Sequence, residues 1–339
     1  MSFNLLIPSA GMRYMHIKLF KESRGVDRVV TTEIKDVAPG IFSADVCYRV
    51  PPAISREYPD VIMNICEIEN INAIVPLLDL DIAVFSEIRE RFEERGIRLL
   101  LSPKKTIDIA MDKLTTANFL LENGLPAPIT IKASDWERNL EKIDPPLIIK
   151  PRFPSKRSEK GYDISIISDN DGIKSFLDSV GDNASDYVFQ EYLVGTGLTV
   201  DFFCDKSGKL ISAVPGERLV ALSKVFSKSG GGIMSEGKII HDEEIQQIVR
   251  KLTNKMHFYG TGNFQAYRLP TGDIKIIEIN PRMVGATVMT NASGRPFFQW
   301  SIDLLIGKEI DSPNEDYREV RMTSWIHPIF FEDNKIIEI

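Results

Sequence analysis

The sequence predicts an α/β protein, with an α+β arrangement in its second part, and three observations predict it. Over residues 1 to about 101, short apolar runs alternate with helical periodicity, the pattern of a parallel sheet. Near the C-terminal end two strand-like runs, Asn263–Arg268 and Ile274–Asn280, flank a turn containing Pro270 and Gly272, the pattern of an antiparallel hairpin. Between these regions lie a buried strand pattern, Pro146–Pro151, and an amphipathic helix pattern, Asp242–Met256. In that helix Ile245, Ile248, Val249, Leu252 and Met256 form one core stripe.

The elements follow in order. Asn4–Pro8 reads as a first strand, Met12–Lys21 as a helix, Asp27–Thr31 as a second strand and Ala73–Pro76 as a third. Leu80–Arg95 reads as a helix ended by Gly96, and Ile97–Leu101 as a further strand. Ser9-Ala10-Gly11 follows the first strand but is not a Gly-x-Gly-x-x-Gly fingerprint, so a dinucleotide site is rejected. Loops at the C-terminal ends of such strands face the cleft. Arg13 and Asp79 are therefore candidates to touch a substrate, with turn capping and helix solvation as equal alternatives.

Thr106–Asn123 reads as one helix, ended by Gly124 with Pro126 and Pro128 beyond. Lys150 ends the Pro146–Pro151 strand, and burying a lone lysine there would be costly. Arg152–Gly161 is a loop with four cations and one late glycine; the cations either face phosphate or are solvated. Asp169–Val180 reads as a capped helix, Tyr187–Leu193 as a strand with linker, and Leu210–Arg218 as a strand. Lys224–Gly232 is a basic, Gly-rich loop, and Trp300–Ile306 begins a closing helix. Residues 311–339 show strand character at Arg321–Ile326 and Lys335–Ile339.

Bulk properties narrow the function. The chain has 339 residues, enough for two or three domains. It is 43% hydrophobic and 26% charged, an ordinary globular composition. A net charge of −7 and a pI of about 5.4 argue against nucleic acid, which would call for a basic footprint. The start of the chain lacks a signal-peptide pattern, and no apolar run is long enough to span a bilayer, so no membrane role is expected and the expected compartment is the cytoplasm. Cys47, Cys66 and Cys204 are far apart, which suggests neither a disulfide framework nor a zinc site.

The hairpin carries the chemistry. Side chains alternate along a strand, so Glu278 and Asn280 share a face, with Ile277 and Ile279 on the other. With the turn centred on Thr271-Gly272, Pro270 faces Asp273 and Gln265 faces Glu278. Gln265, Glu278 and Asn280 then offer three hard oxygens of the kind Mg²⁺ takes together with substrate phosphates. Arg282 leaves the strand end beside them, a fixed cation suited to phosphate oxygens.

Glu278-Ile279-Asn280-Pro281-Arg282, with Gln265 one strand earlier, resembles the metal-binding end of the ATP-grasp ligases. The Gln-Glu-Asn set is similar to that of carbamoyl-phosphate synthase large chains, where many other ATP-grasp enzymes carry an acidic residue instead of Gln. Ser9-Ala10-Gly11, Ala44-Asp45, Pro76-Leu77-Leu78-Asp79 and Gly124-Leu125-Pro126-Ala127-Pro128 echo the same proteins. The resemblance implies a parallel-sheet pre-ATP-grasp domain over residues 1–101, followed by a two-lobed ATP-grasp fold. Residues 102–186 would form the linker helix and lid lobe, 187–310 the C-lobe with the metal site, and 311–339 a C-terminal extension.

It also implies ATP and Mg²⁺ (or Mn²⁺) as cofactors, with Gln265, Glu278 and Asn280 as metal ligands. Lys113, Lys150, Ser155 and Lys156 would attend the phosphates, and Gln190, Glu191, Tyr192 and Leu193 the adenine. Arg218, Arg282 and Lys150 would serve catalysis by steadying the transferred group. Two departures stand out: the Gly-poor loop after Pro151, and Gly197 where the family's ribose-binding Glu belongs. Asp201 is a candidate substitute for that Glu, with a structural role as the alternative. The implied function is a carboxylate–amine ligase working through an acyl-phosphate, with small-molecule acid and amine partners and a homodimer as a further expectation. Two alternatives stand beside it: phosphorylation of bicarbonate or carbamate, and a catalytically weakened ATP-binding sensor or subunit.

Overall fold

The computed structural model describes residues 3–139, 141–154, 164–221, 234–313, 316–324, 329–332 and 335–337. The first sheet is parallel and five-stranded, built from β1 (Phe3–Ile7), β2 (Val26–Glu33), β3 (Val46–Arg49), β4 (Ile71–Ile74) and β5 (Arg98–Leu99) in the order β3-β2-β1-β4-β5. Its helices include α1 (Tyr14–Lys21), α2 (Tyr58–Ile68), α3 (Asp79–Glu87) and α4 (Arg89–Glu93). The strand β3 and helix α2 escape the sequence reading. β3 is short and half-exposed, so it shows no clear alternation. The expected helix over Leu80–Arg95 is two helices, because Ile88 leaves helical geometry at φ −112°.

The expected helix Thr106–Asn123 is also two, α5 (Lys104–Met111) and α6 (Lys113–Glu122). Asp112 breaks them. Its backbone is extended, and its carboxylate caps α6 by accepting from Leu114 N at 3.0 Å. A four-stranded antiparallel sheet follows, ordered β6 (Thr130–Lys132), β9 (Tyr187–Glu191), β7 (Leu147–Pro151) and β8 (Ser165–Ile167). Helix α7 (Asn170–Val180) packs Ile173, Phe176 and Val180 into the core of this sheet.

The third sheet contains β10 (Thr196–Cys204), β11 (Leu210–Ala221), β12 (Met234–Ile239), β13 (Gly260–Arg268), β14 (Ile274–Asn280) and β15 (Arg321–Thr323), ordered β14-β13-β10-β11-β12-β15. One face of this sheet buries Leu198, Val200, Phe202, Phe264, Ala266, Ile274, Ile276 and Ile279 against α8 (Glu243–Thr253). Ile245, Val249 and Leu252 of α8 are fully buried there, each worth roughly 1.5–3 kcal/mol of apolar burial. The opposite face holds the polar side chains of the candidate site. Helices α9 (Thr287–Ala292) and α10 (Phe297–Leu305) follow the hairpin, and α10 packs into a core shared with β1 and α1. Residues 311–339 contribute β15 at the edge of the third sheet and the hairpin β16 (Phe330–Glu332) with β17 (Lys335–Ile337).

The hairpin register corrects one expectation and keeps another. Across the turn Leu269 N–H bonds the Asp273 carbonyl at 2.8 Å, so Pro270 does not face Asp273. Arg268 pairs with Ile274 and Ala266 with Ile276; a bulge at Ile277 then shifts the ladder by one residue. Beyond it Gln265 pairs with Glu278, Phe264 with Ile279 and Asn263 with Asn280. The bulge also removes Ile277 from the Ile279 face: Ile276 and Ile279 enter the core, while Ile277 stays half-exposed.

Candidate active site

The β13–β14 hairpin sets Gln265 directly across from Glu278 on the polar face, with Asn280 two residues further along the same strand. Side chains so opposed have Cβ atoms about 5 Å apart. Asn280 is buried, and its amide is gripped from two sides. Its Nδ2 donates weakly to Asn263 Oδ1 (3.4 Å), and its Oδ1 accepts from Arg282 Nη2 (3.2 Å). Asn263 is held in turn, its Nδ2 donating to Asp201 Oδ1 (2.7 Å) and Thr199 Oγ1 (3.0 Å). Asp201 also accepts from Thr290 Oγ1 at 2.7 Å. Burial pushes the Asp201 carboxyl up to about 6, against the pull of these donors. Asp201 is thus a buried support of the Asn280 amide, which favours the structural alternative for it.

Lys150, at the C-terminal half of β7, is buried, and its Nζ donates to Gln190 Oε1 at 2.7 Å. Burial pulls its ammonium down to about 8; Glu278 pushes it up and Lys113 pushes it down. Those two influences put Glu278 of the third sheet and Lys113 of α6 within electrostatic reach of Lys150 in the second. Gln190 is engaged at both ends, since its Nε2 donates to Thr130 Oγ1 at 2.9 Å. It therefore orients Lys150, and its side-chain amide, engaged at both ends, is not offered to the adenine beside which the sequence reading set this segment.

The other adenine candidates lie at the end of β9. The Glu191 amide donates to the Ile129 carbonyl at 3.0 Å, so this amide is not available to a base. Both Glu191 carboxylate oxygens accept from Lys275 Nζ, at 2.7 and 2.6 Å, which ties β9 to β14. Tyr192 is exposed and Leu193 buried. In the linker beyond, a Cβ on Gly195 would overlap the Arg268 carbonyl oxygen, so close backbone approach excludes a side chain there. Gly197 pairs with Arg218, and a Cβ at 197 would stand 3.5 Å from the Arg218 Cβ. Arg218 Nη1 donates to Gln265 Oε1 at 2.7 Å.

Two cations for which the sequence offers phosphate as a partner, Arg152 with solvation as the alternative, have carboxylate partners in the structure. Arg152 forms a two-pronged pair with Asp112 (Nε–Oδ1 2.8 Å, Nη2–Oδ2 2.6 Å), so it braces the α6 cap. Arg282 forms a second such pair with Asp79 at the start of α3 (Nη2–Oδ2 2.8 Å), and its Nη1 bonds the Met283 carbonyl at 3.1 Å. Burial pushes the Asp79 carboxyl up, but Arg282, Lys113 and Arg13 together hold it below the usual range. Arg13 sits beside them, donating to the Leu77 carbonyl at 3.3 Å. Burial and the neighbouring Arg282 pull its guanidinium down to about 10. A further tie comes from α1, where buried His16 bonds the Val284 carbonyl through Nε2 at 2.8 Å; a carbonyl only accepts, so Nε2 carries the proton. Ser155, Lys156 and the Lys224–Gly232 loop lie outside the described residues.

These partners escape sequence reasoning because Asp79 and Arg282 are 203 residues apart and Lys275 and Glu191 are 84 apart. Only Asp112 carries a local signal, an N-cap aspartate followed by Thr115. Among the described residues no three His, Cys, Asp or Glu side chains group as a metal cluster, so Glu278 would be the charged member of a set otherwise made of amides. Both amide oxygens already accept a guanidinium donor, and each keeps a second lone pair. The donor set therefore fits a hard divalent cation that brings phosphate oxygens with it.

Comparisons with known proteins agree with this architecture. Residues 5–100 match a family described as PylC-like, N-terminal domain, and residues 183–327 match one described as ATP-grasp in the biosynthetic pathway with Ter operon. The chain is 20% identical over 263 residues to the carbamoyl phosphate synthase large chain of Clostridium acetobutylicum, which covers 75% of this chain and 24% of that one. It therefore spans about a quarter of the length of this relative. The biotin carboxylase domain of Hydrogenobacter thermophilus 2-oxoglutarate carboxylase, solved with MgADP and bicarbonate, superposes with a TM-score of 0.73 at 17% identity, over 91% of this chain and 71% of that one. The L-amino acid ligase of Bacillus licheniformis superposes with a TM-score of 0.67 at 18% identity, over 90% and 74%. The fold is the ATP-grasp fold with its preceding parallel-sheet unit. Among the described residues no helix is long and apolar enough to cross a membrane.

Proposed function

We propose that this ATP-grasp protein, similar to carbamoyl phosphate synthase large chains, is an ATP-dependent ligase that joins a small carboxylate to an amine through an acyl-phosphate. One observation carries the reading. Gln265, Glu278 and Asn280 share the polar face of one hairpin, and Glu278 lies within electrostatic reach of Lys150 from the second sheet and of Arg282 just past the end of its own strand. Phosphoryl transfer asks the protein mainly for position and charge.

In this reading residues 1–101 supply the acid end of the cleft, 102–186 the linker helices and lid lobe, and 187–310 the metal hairpin; β15 braces the sheet edge. Lys150, oriented by Gln190, and Lys113 hold the outer phosphates of ATP. The Leu193 amide and the Glu191 carbonyl meet the adenine edge. Arg218, poised on Gln265, reaches the transferred phosphoryl group, and Arg282 fixes the end of β14. Gln265, Glu278 and Asn280 would hold Mg²⁺, which supplies charge neutralisation worth several kcal/mol of the barrier. The sequence likeness to carbamoyl phosphate synthase large chains keeps phosphorylation of bicarbonate or carbamate as a second reading.

The test is a matrix of carboxylates against amines, scored by ADP release and by product mass. An acid plus an amine less one water supports the ligase; ADP release with bicarbonate alone supports the second reading. Glu278→Ala is expected to lower ADP release by at least about 100-fold while leaving the fold intact by circular dichroism. A near wild-type rate in that variant removes the metal assignment.

A further inference from the structure

The donor count at the N-terminal end of the cleft is uneven. Arg282 has five N–H groups. Four are engaged: Nε and one Nη2 hydrogen with Asp79, the other Nη2 hydrogen with Asn280 and one Nη1 hydrogen with Met283. Arg13 sits close enough to feel both Arg282 and Asp79, yet among the described residues it makes one hydrogen bond, to the Leu77 carbonyl, and no ion pair. Among the described residues none of the nearby carboxylates bonds Arg13. Glu33 accepts the amides of Gly11, Ile34 and Lys35; Asp81 accepts the Tyr58 hydroxyl at Oδ1, and its Oδ2 is buried without a partner; Asp79 takes Arg282. A fork-shaped cation is thus left with spare donors in a largely desolvated corner beside a second arginine, where an anion relieves both the desolvation and the repulsion. Gly285 borders the same corner: a Cβ built there would stand 4.0 Å from Arg13 Nη1.

We propose that Arg13 is the anchor for the carboxylate of the acid substrate, received between Arg13 and the Arg282–Asp79 pair beside Asn280. This rests on the ligase reading and deepens it. It reassigns the anion-gripping task from Arg282, whose fork is filled, to a residue of the first sheet. Asp79 becomes the residue that holds Arg282 in place and makes no contact with substrate.

The experiment uses the full chain with bicarbonate and each of the twenty standard L-amino acids as acid, in the presence of Mg·ATP and an amine panel. Arg13→Ala and Arg13→Lys are compared with wild type for the KM of the acid, kcat, and MgADP affinity by calorimetry. The expected result is a rise in acid KM of roughly 30-fold or more for Arg13→Ala, the scale of truncating one partner of a buried charge pair. Arg13→Lys keeps the charge without the fork and is expected in between. MgADP affinity within about twofold of wild type shows that both variants fold. Acid KM within twofold of wild type in both variants overturns the assignment and leaves the ligase reading standing. A wild type that binds MgADP but releases no ADP with any acid overturns the ligase reading and the assignment with it.

Discussion

The β14 hairpin strand is tied to the rest of the molecule near both ends by a two-pronged carboxylate–cation pair, and the two ties differ in their surroundings. At the start, Lys275 meets Glu191 of the second sheet, with side chains 26% and 33% exposed. Just past the end, Arg282 meets Asp79 of the first sheet's unit, with side chains 11% and 21% exposed. The Asp79 pair is also enclosed by Asn280, Met283 and Arg13, and His16 clamps the backbone two residues on. Among the described residues the Glu191 pair has one further hydrogen bond, a long one from the Ile129 amide at 3.4 Å. A screened pair can open at little cost; an enclosed one opens only by leaving a charge behind. The proposed metal hairpin is thus fixed firmly against the first sheet and lightly against the sheet that would carry the lid. That asymmetry suits a cleft that opens on the nucleotide side.

Three changes break or sharpen this contrast. Asp79→Ala strands Arg282 in a desolvated corner, and a loss of about 3 kcal/mol is expected from urea unfolding. A loss below about 1 kcal/mol would place the two ties on one level. His16 reports on the same firm end through pH. Burial, aided by nearby Arg13, pulls the folded imidazole down to about 4, against about 6.5 in an unfolded chain. Between those values the unfolded chain takes up a proton that the folded one refuses, so stability falls as pH drops from 6.5 toward 4. The full difference is on the order of 3 kcal/mol, measured as the excess pH dependence of wild type over His16→Gln. Equal pH slopes in the two proteins would remove His16 from the account. Lys275→Met, at the light end, is expected to cost at most about 1 kcal/mol, and to cost nothing measurable in about 1 M salt. A loss that persists in salt would show that this tie is also enclosed.

The same contrast explains what could be read ahead of the structure. The pairing of Gln265 with Glu278 was legible because a hairpin turn and a period of two constrain it. The count succeeded by a route the turn alone does not provide: the actual turn is one residue out of step, and the bulge at Ile277 restores the pairing. Lys150 was legible as a strand-end lysine, but its partner Gln190 read as a base contact, since nothing local shows which way a side chain faces across a sheet. The break at Asp112 was hidden because Asp112-Lys113 sits inside an unbroken helical periodicity; a capping preference competes with that pattern only weakly. Arg152 read as either a phosphate cation or a solvated one, because its acidic partner lies 40 residues away.

By itself the sequence determined the local chemistry: strand and helix periodicities, the turn, and an Asn-Pro-Arg strand end carrying oxygen ligands in alternation. Those depend on residues a few positions apart, whose geometry the backbone dictates. Only the tertiary structure decided which charges are already spent. Whether an arginine is a support or a receptor depends on carboxylates tens to hundreds of residues distant, and folding alone brings Asp79 to Arg282 while leaving Arg13, among the described residues, with donors to spare.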